Sequence, residues 1–128
     1  MALMTKQSRR SSQKKKAPAV QSVDGTLAWR KRYGVPQALM ARLLDVSVRT
    51  ASAIDSGSIP AIKVQRNRTQ IARLFQALEE AMNAEYVGPW MEQPNDMLDG
   101  LKPVEAIERG MIDLVWQIAE GLREGSPL

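Results

Sequence analysis

The stretch QALMARLLDVSVRTASAIDS, residues 37–56, decides the fold. It reads as two short helices joined by a tight turn. Met40, Leu44, Val46, Ala51 and Ile54 recur at spacings that lock one helix on the other, and Ala41 is small enough for close approach at their crossing. Asp45 stands at the turn, where a residue tolerating positive φ is needed. Ser47 is placed to cap the second helix, over Val48 to about Asp55, with Gly57 as its stop. The outer side of that second helix is short and polar or basic. A helix of this kind enters a major groove with its first turns facing base edges. Ser47, Val48, Arg49, Thr50, Ser52 and Ala53 are therefore candidate DNA contacts, together with Gln37 at the start of the first helix. The Arg49 fork matches guanine O6 and N7. Ser47 and Gln37 suit phosphates, as do Arg30, Lys31, Arg32, Arg42, Lys63, Arg66 and Arg68.

Outward from this unit the pattern stays helical. Thr26 is placed to cap a helix over Leu27–Tyr33 that stops at Gly34, and Pro36 suits the first turn of the next helix. A longer helix is expected from about Val64 or Arg66 to Met82, with Ile71, Leu74, Phe75, Leu78 and Met82 on one face. Its basic start and acidic end oppose the helix dipole, which implies that these charges serve partners. A short helix over 85–93 should bury Tyr86, Trp90 and Met91. Pro94-Asn95 breaks it, and Pro103 opens a helix ending near Gly110. The last helix, about Met111 to Arg123, carries Ile112, Val115, Trp116, Ala119 and Leu122 on one stripe, widened by Leu114 and Ile118. No strand or hairpin signal is present. The expected class is all-α, with a helix-turn-helix domain followed by a small helical domain.

Composition narrows function. The chain has 128 residues, with no cysteine and no histidine. Thiol chemistry is excluded, and the usual general base and commonest metal ligand are missing. The chain is expected not to be an enzyme and to need no cofactor or metal. No apolar run is long enough to span a membrane, and the basic N-terminus lacks the apolar segment of a secretory signal, so a cytoplasmic location is expected.

Charge is unevenly placed. Residues 1–23 carry net +6, residues 24–75 net +6, and residues 76–128 net −8. A basic front suits a polyanion and an acidic rear suits something else. The expected organisation is a disordered basic tail over 1–23, a DNA-binding domain with its connecting helix over 24–78, and a partner-binding domain over 79–128. Both a solubilising role and a DNA-tracking role fit the tail. Half-sites are read by two-fold pairs, so a homodimer is expected on DNA.

One resemblance goes further. The segment WMEQPNDMLDGLKP, residues 90–103, resembles the signature loop of the Xre/MbcA/ParS antitoxin family, where an aromatic residue, a Pro-Asn pair, a Leu, a Gly and a Pro recur at this spacing before two helices. The preceding helix-turn-helix is similar to the Xre type found in that family, and together the two cover residues 24–125. Lys102 stands where a threonine commonly caps the following helix, which implies a looser helix start. In themselves, Trp90, Pro94, Asn95, Leu98, Gly100 and Pro103 are turn formers and core residues that shape the module, and Asn95 is placed to tie down loop backbone.

The resemblance implies an antitoxin of a type II toxin–antitoxin system. It would inhibit a RES-domain toxin that degrades NAD and repress its own operon by binding operator DNA, as a homodimer within a larger complex. It also implies that the last helices and the chain end face the toxin: Leu122, Arg123, Gly125 and Leu128. A dinucleotide pyrophosphate pocket must be cationic, so Glu120, Glu124 and the terminal carboxylate suit an inhibitor that covers it. The alternative is a stand-alone repressor whose rear domain only dimerises.

Overall fold

The computed structural model describes residues 25–125. The basic tail over 1–23 and Leu128 lie outside the described residues. Among the described residues the structure is all-helical: α1 (Gly25–Tyr33), α2 (Gln37–Leu44), α3 (Val48–Asp55), α4 (Ile62–Glu79), α5 (Val87–Met91), α6 (Pro103–Glu108) and α7 (Ile112–Arg123). Short 3-10 turns occupy Ala84–Tyr86 and Asp96–Leu98. No helix among the described residues is long and apolar enough to cross a membrane.

The two helices and turn over 37–56 form as their sequence predicts. Asp45 adopts the left-handed conformation, φ 57° and ψ 50°, and its N–H closes α2 on the Arg42 carbonyl. Ser47 caps α3 by accepting the Thr50 N–H at 3.0 Å. Leu39, Met40, Ala41, Leu43, Leu44, Ala51 and Ile54 are buried, while Val46 is half-buried.

Several boundaries differ from expectation. Thr26 is buried inside α1, which begins at Gly25, so it is not the cap. Pro36 stays extended, with ψ 157°, and serves as N-cap, so α2 starts one residue later. α4 begins earlier, at Ile62, and ends at Glu79, short of Met82. Tyr86 is 57% exposed and Trp90 only half-buried; Val87 and Met91 are the anchors of α5. Leu114 points outward from α7, whose inner side is Val115, Ile118 and Ala119. The start of α6 is not loose. Lysine has no acceptor to cap with, but the Glu105 carboxylate accepts the Lys102 N–H at 2.9 Å, supplying half of a capping box.

α4 is the spine. α2 and α7 both pack on it, and α6 bridges α2 and α7. Buried residues from Trp29 through Phe75 to Ala119 form one hydrophobic cluster that crosses position 78. Its front carries an aromatic triad: Phe75 lies 4.7 Å from Trp29 and edge-on to Tyr33 at 5.3 Å. The i, i+4 spacing of Trp29 and Tyr33 is the signal for this triad in the sequence.

The C-terminal end of α4 does not lack compensation. Glu79 accepts from Tyr33 Oη at 2.9 Å and from Arg32, and Glu80 pairs with Arg123 at 3.0 Å. The acidic end that opposes the dipole is thus held by partners within the chain. Burial, then the Glu79 hydrogen bond, pushes the Tyr33 hydroxyl up to about 12.

α1 and α5 meet backbone to backbone. A Cβ on Gly88 would stand 2.2 Å from the Gly34 carbonyl oxygen, and one on Gly34, whose φ is +65°, would stand 2.7 Å from the Glu85 carbonyl. Neither neighbour is a side chain that could swing aside.

Two outcomes follow from these contacts. Gly88→Ala must force α1 and α5 apart and should lower Tm by about 10–20 °C in calorimetry. Tyr33 is buried with a raised pKa, so its neutral form is favoured by folding. That stabilisation is complete below the unfolded value of 10.0 and disappears as pH rises to about 12. It amounts to about 3 kcal/mol. Urea unfolding at pH 9 and pH 12 should show that loss in the wild type, and a smaller one in Tyr33→Phe.

Candidate DNA interface and partner-facing end

The exposed side of α3 carries Val48, Arg49, Thr50 and Ser52. Val48 is 51% exposed, which is high for an aliphatic residue in the first turn of a helix. Arg49 makes no ion pair among the described residues. Ser47 is exposed, but its hydroxyl serves Thr50, bonding both its N–H and its Oγ1 at 3.0 Å. Ala53 is half-buried, and its carbonyl accepts the N–H groups of Ser56 and Ser58.

The opposite end of α3 is anchored. The Asp55 carboxylate accepts from Arg30 Nε at 3.2 Å, from the Arg30 terminal nitrogen at 2.5 Å, and from Gln37 Nε2 at 3.0 Å. Arg30 also donates to the Val35 carbonyl at 3.0 Å. Both charged side chains are largely out of water, at 13% and 10% exposure. Three helices meet on one carboxylate, which fixes how α3 projects from α1 and α2.

This network corrects part of the phosphate expectation. Arg30 and the Gln37 amide are turned inward to Asp55. Arg32 is turned to Glu79, and its guanidinium lies 5.6 Å from the Tyr33 ring centroid. Arg42 binds Glu108 through two hydrogen bonds, 3.0 and 2.7 Å. That pair draws the Glu108 carboxyl below its usual range, Arg42 being the main cause. Arg68 is only 6% exposed, its Nε has no hydrogen-bond partner, and burial lowers its pKa. Of the cations assigned to phosphates, Lys31, Lys63 and Arg66 remain exposed and make no ion pair among the described residues.

At the other end, Arg123 joins Glu80 at 3.0 Å and Glu120 at 3.2 Å. Glu120, Glu124 and Gly125 are exposed, while Leu122 is half-buried against the core. Leu128 and the terminal carboxylate lie outside the described residues. The loop over 90–103 is self-contained: Asn95 Oδ1 accepts the Met97 N–H at 2.9 Å, and Asn95 exchanges backbone bonds with Leu98, Gly100 and Leu101. Asn95 thus ties down loop backbone, as the sequence implies. No cluster of carboxylates among the described residues is placed to hold a metal ion.

An all-α bundle with a braced, polar-faced helix at one end and an exposed acidic helix end at the other is a scaffold for binding surfaces. No family model matches the chain. The probable mycobacterial cidal antitoxin Rv3188 of Mycobacterium tuberculosis is 28% identical over 96 residues, 75% of this chain and 83% of that protein. The mycobacterial cidal antitoxin MbcA, of Mycobacterium bovis and of M. tuberculosis, is 23% identical over 96 residues, 74% of this chain and 85% of its own length. A chain in the crystal structure of the M. tuberculosis MbcT–MbcA toxin–antitoxin complex superposes with a TM-score of 0.65 at 21% identity, covering 77% of this chain and 90% of that one. The chain is homologous to these mycobacterial cidal antitoxins and shares the fold seen in that complex.

The Arg30–Asp55 pair is buried enough to matter. Asp55→Ala leaves a guanidinium without its carboxylate and should cost about 2–3 kcal/mol in urea unfolding. A loss below about 0.5 kcal/mol would mean the pair behaves as an exposed surface bridge.

Proposed function

We propose that this protein is the antitoxin of a type II toxin–antitoxin pair, acting in the cytoplasm by binding and not by catalysis. The observation that carries this reading is the likeness, over three quarters of the chain, to proteins named as antitoxins. The shared fold supports it. The partner is a RES-domain toxin that degrades NAD. The segment 79–128 holds it, and Glu120, Leu122, Arg123, Glu124, Gly125 and Leu128 face it. Carboxylates at this end oppose the cations that a pyrophosphate site requires.

The segment 24–78 binds the protein's own operator as a homodimer and represses transcription. The support is physical. The first turns of α3 stand clear of the core, the Asp55 network sets their direction, and Arg49 makes no ion pair among the described residues. A helix so presented reads base edges in a major groove. Along the sequence, exposed acids concentrate after residue 78.

The test has two arms. Co-expression with a RES-domain toxin should restore the growth and cellular NAD that the toxin alone removes. Glu120→Gln with Glu124→Gln, combined with truncation after Gly125, should weaken that rescue; full rescue would remove the assigned surface. In gel shifts on the upstream duplex, Arg49→Ala should cost roughly 10- to 100-fold in affinity and leave rescue intact. Failure of rescue together with retained operator binding would leave a stand-alone repressor.

A further inference from the structure

The loop after α3 and the first residue of α4 hold aliphatic side chains that nothing in the described chain covers. Ile59 is 88% exposed and Ile62 63%. Scattered exposed aliphatics need no explanation, but this loop is held in place. The Ser58 N–H donates to the Ala53 carbonyl at 2.9 Å, and Gln65 Nε2 donates to the Pro60 carbonyl at 2.8 Å. The loop is therefore a fixed extension of the C-terminal end of α3.

Up to residue 78, the sequence of the loop and the helix that follows it carries one sign of charge. Residues 56–78 contain Lys63, Arg66, Arg68 and Arg73 and no acid. Lys63 and Arg66 are exposed and make no ion pair among the described residues. A second copy meeting this patch across a two-fold axis would set the same cations against one another. A polyanion with an apolar-walled groove would not.

We propose that this loop is a second DNA-contacting element. Ile59 enters the minor groove beside the base pairs read by α3, and Lys63 and Arg66 hold the flanking phosphates. Aliphatic wedges of this kind partly unstack a base step and bend the duplex. The inference rests on α3 reading DNA, and the experiment separates the two.

The probe is the duplex immediately upstream of the protein's own reading frame, with random-sequence duplex as competitor and the full chain throughout. Ile59→Ser removes a side chain almost wholly in solvent, so its circular dichroism and Tm should match the wild type. Its affinity for the upstream duplex should fall about tenfold. The bend measured by circular permutation should shrink, and netropsin, which fills the minor groove, should displace the wild type more than the variant. Unchanged affinity and bend would overturn the proposal. So would a lower sedimenting mass of free Ile59→Ser with unaltered DNA binding, which would make the patch a contact between copies. If Arg49→Ala leaves binding intact, the reading of α3 falls too; if Arg49→Ala abolishes binding and Ile59→Ser does not weaken it, only the loop assignment falls.

Discussion

Everything in this molecule leans on one helix having two occupied sides. α4 supplies Phe75 to the aromatic triad with Trp29 and Tyr33, and the same helix receives α7 on its other side. Ile71, Leu74 and Leu78 are nearly solvent-free because they are enclosed from front and rear. Halves of about fifty residues are marginal as separate domains, since too small a fraction of their surface is removed from water. One continuous core solves that problem. Position 78 is therefore not a boundary in the packing.

Charge follows the same logic. The cations divide into those that brace the fold and those that do not. Arg30, Arg32 and Arg42 each hold a carboxylate on another helix, and Arg123 holds Glu80 at the C-cap of α4. Arg42 and Glu108 tie α2 to α6, so the bihelical unit is stitched to the rear by an ion pair as well as by apolar contact. That exposed pair adds little energy, but it consumes a cation that a charge count assigns to DNA. Among the exposed cations that make no ion pair among the described residues, Arg49, Lys63 and Arg66 lie on or just beyond α3.

The sequence discloses the elements more readily than the partners of their side chains. The turn at Asp45, the cap at Ser47 and the span of α3 were legible because each depends on residues within a few positions. Thr26, Tyr86 and Gln37 were not. Whether Thr26 caps a helix or lies inside it depends on what α1 packs against. Gln37 suits a phosphate until Asp55, eighteen positions on, proves to be within reach. The close approach of Gly34 and Gly88 has no local signature at all. Of the candidate site, the outer face of α3 was legible from periodicity and capping. The pairing of the flanking arginines was not, because ion-pair choice is a tertiary property. The acidic rear was legible as a charge excess, but the kind of partner assigned to it came from resemblance, since periodicity does not name a partner.

A shared core has a consequence for regulation that needs no conformational change. A partner that binds only the folded rear stabilises the whole chain by mass action, by about 2.7 kcal/mol at a hundredfold excess over Kd. Because α4 carries both sides, that free energy also protects α1 to α3, including the Arg30–Asp55 brace that aims α3. Toxin bound at the acidic end would therefore raise the fraction of chains able to read DNA. On the proposed function, repression and neutralisation would then be coupled through stability, with α4 as the link.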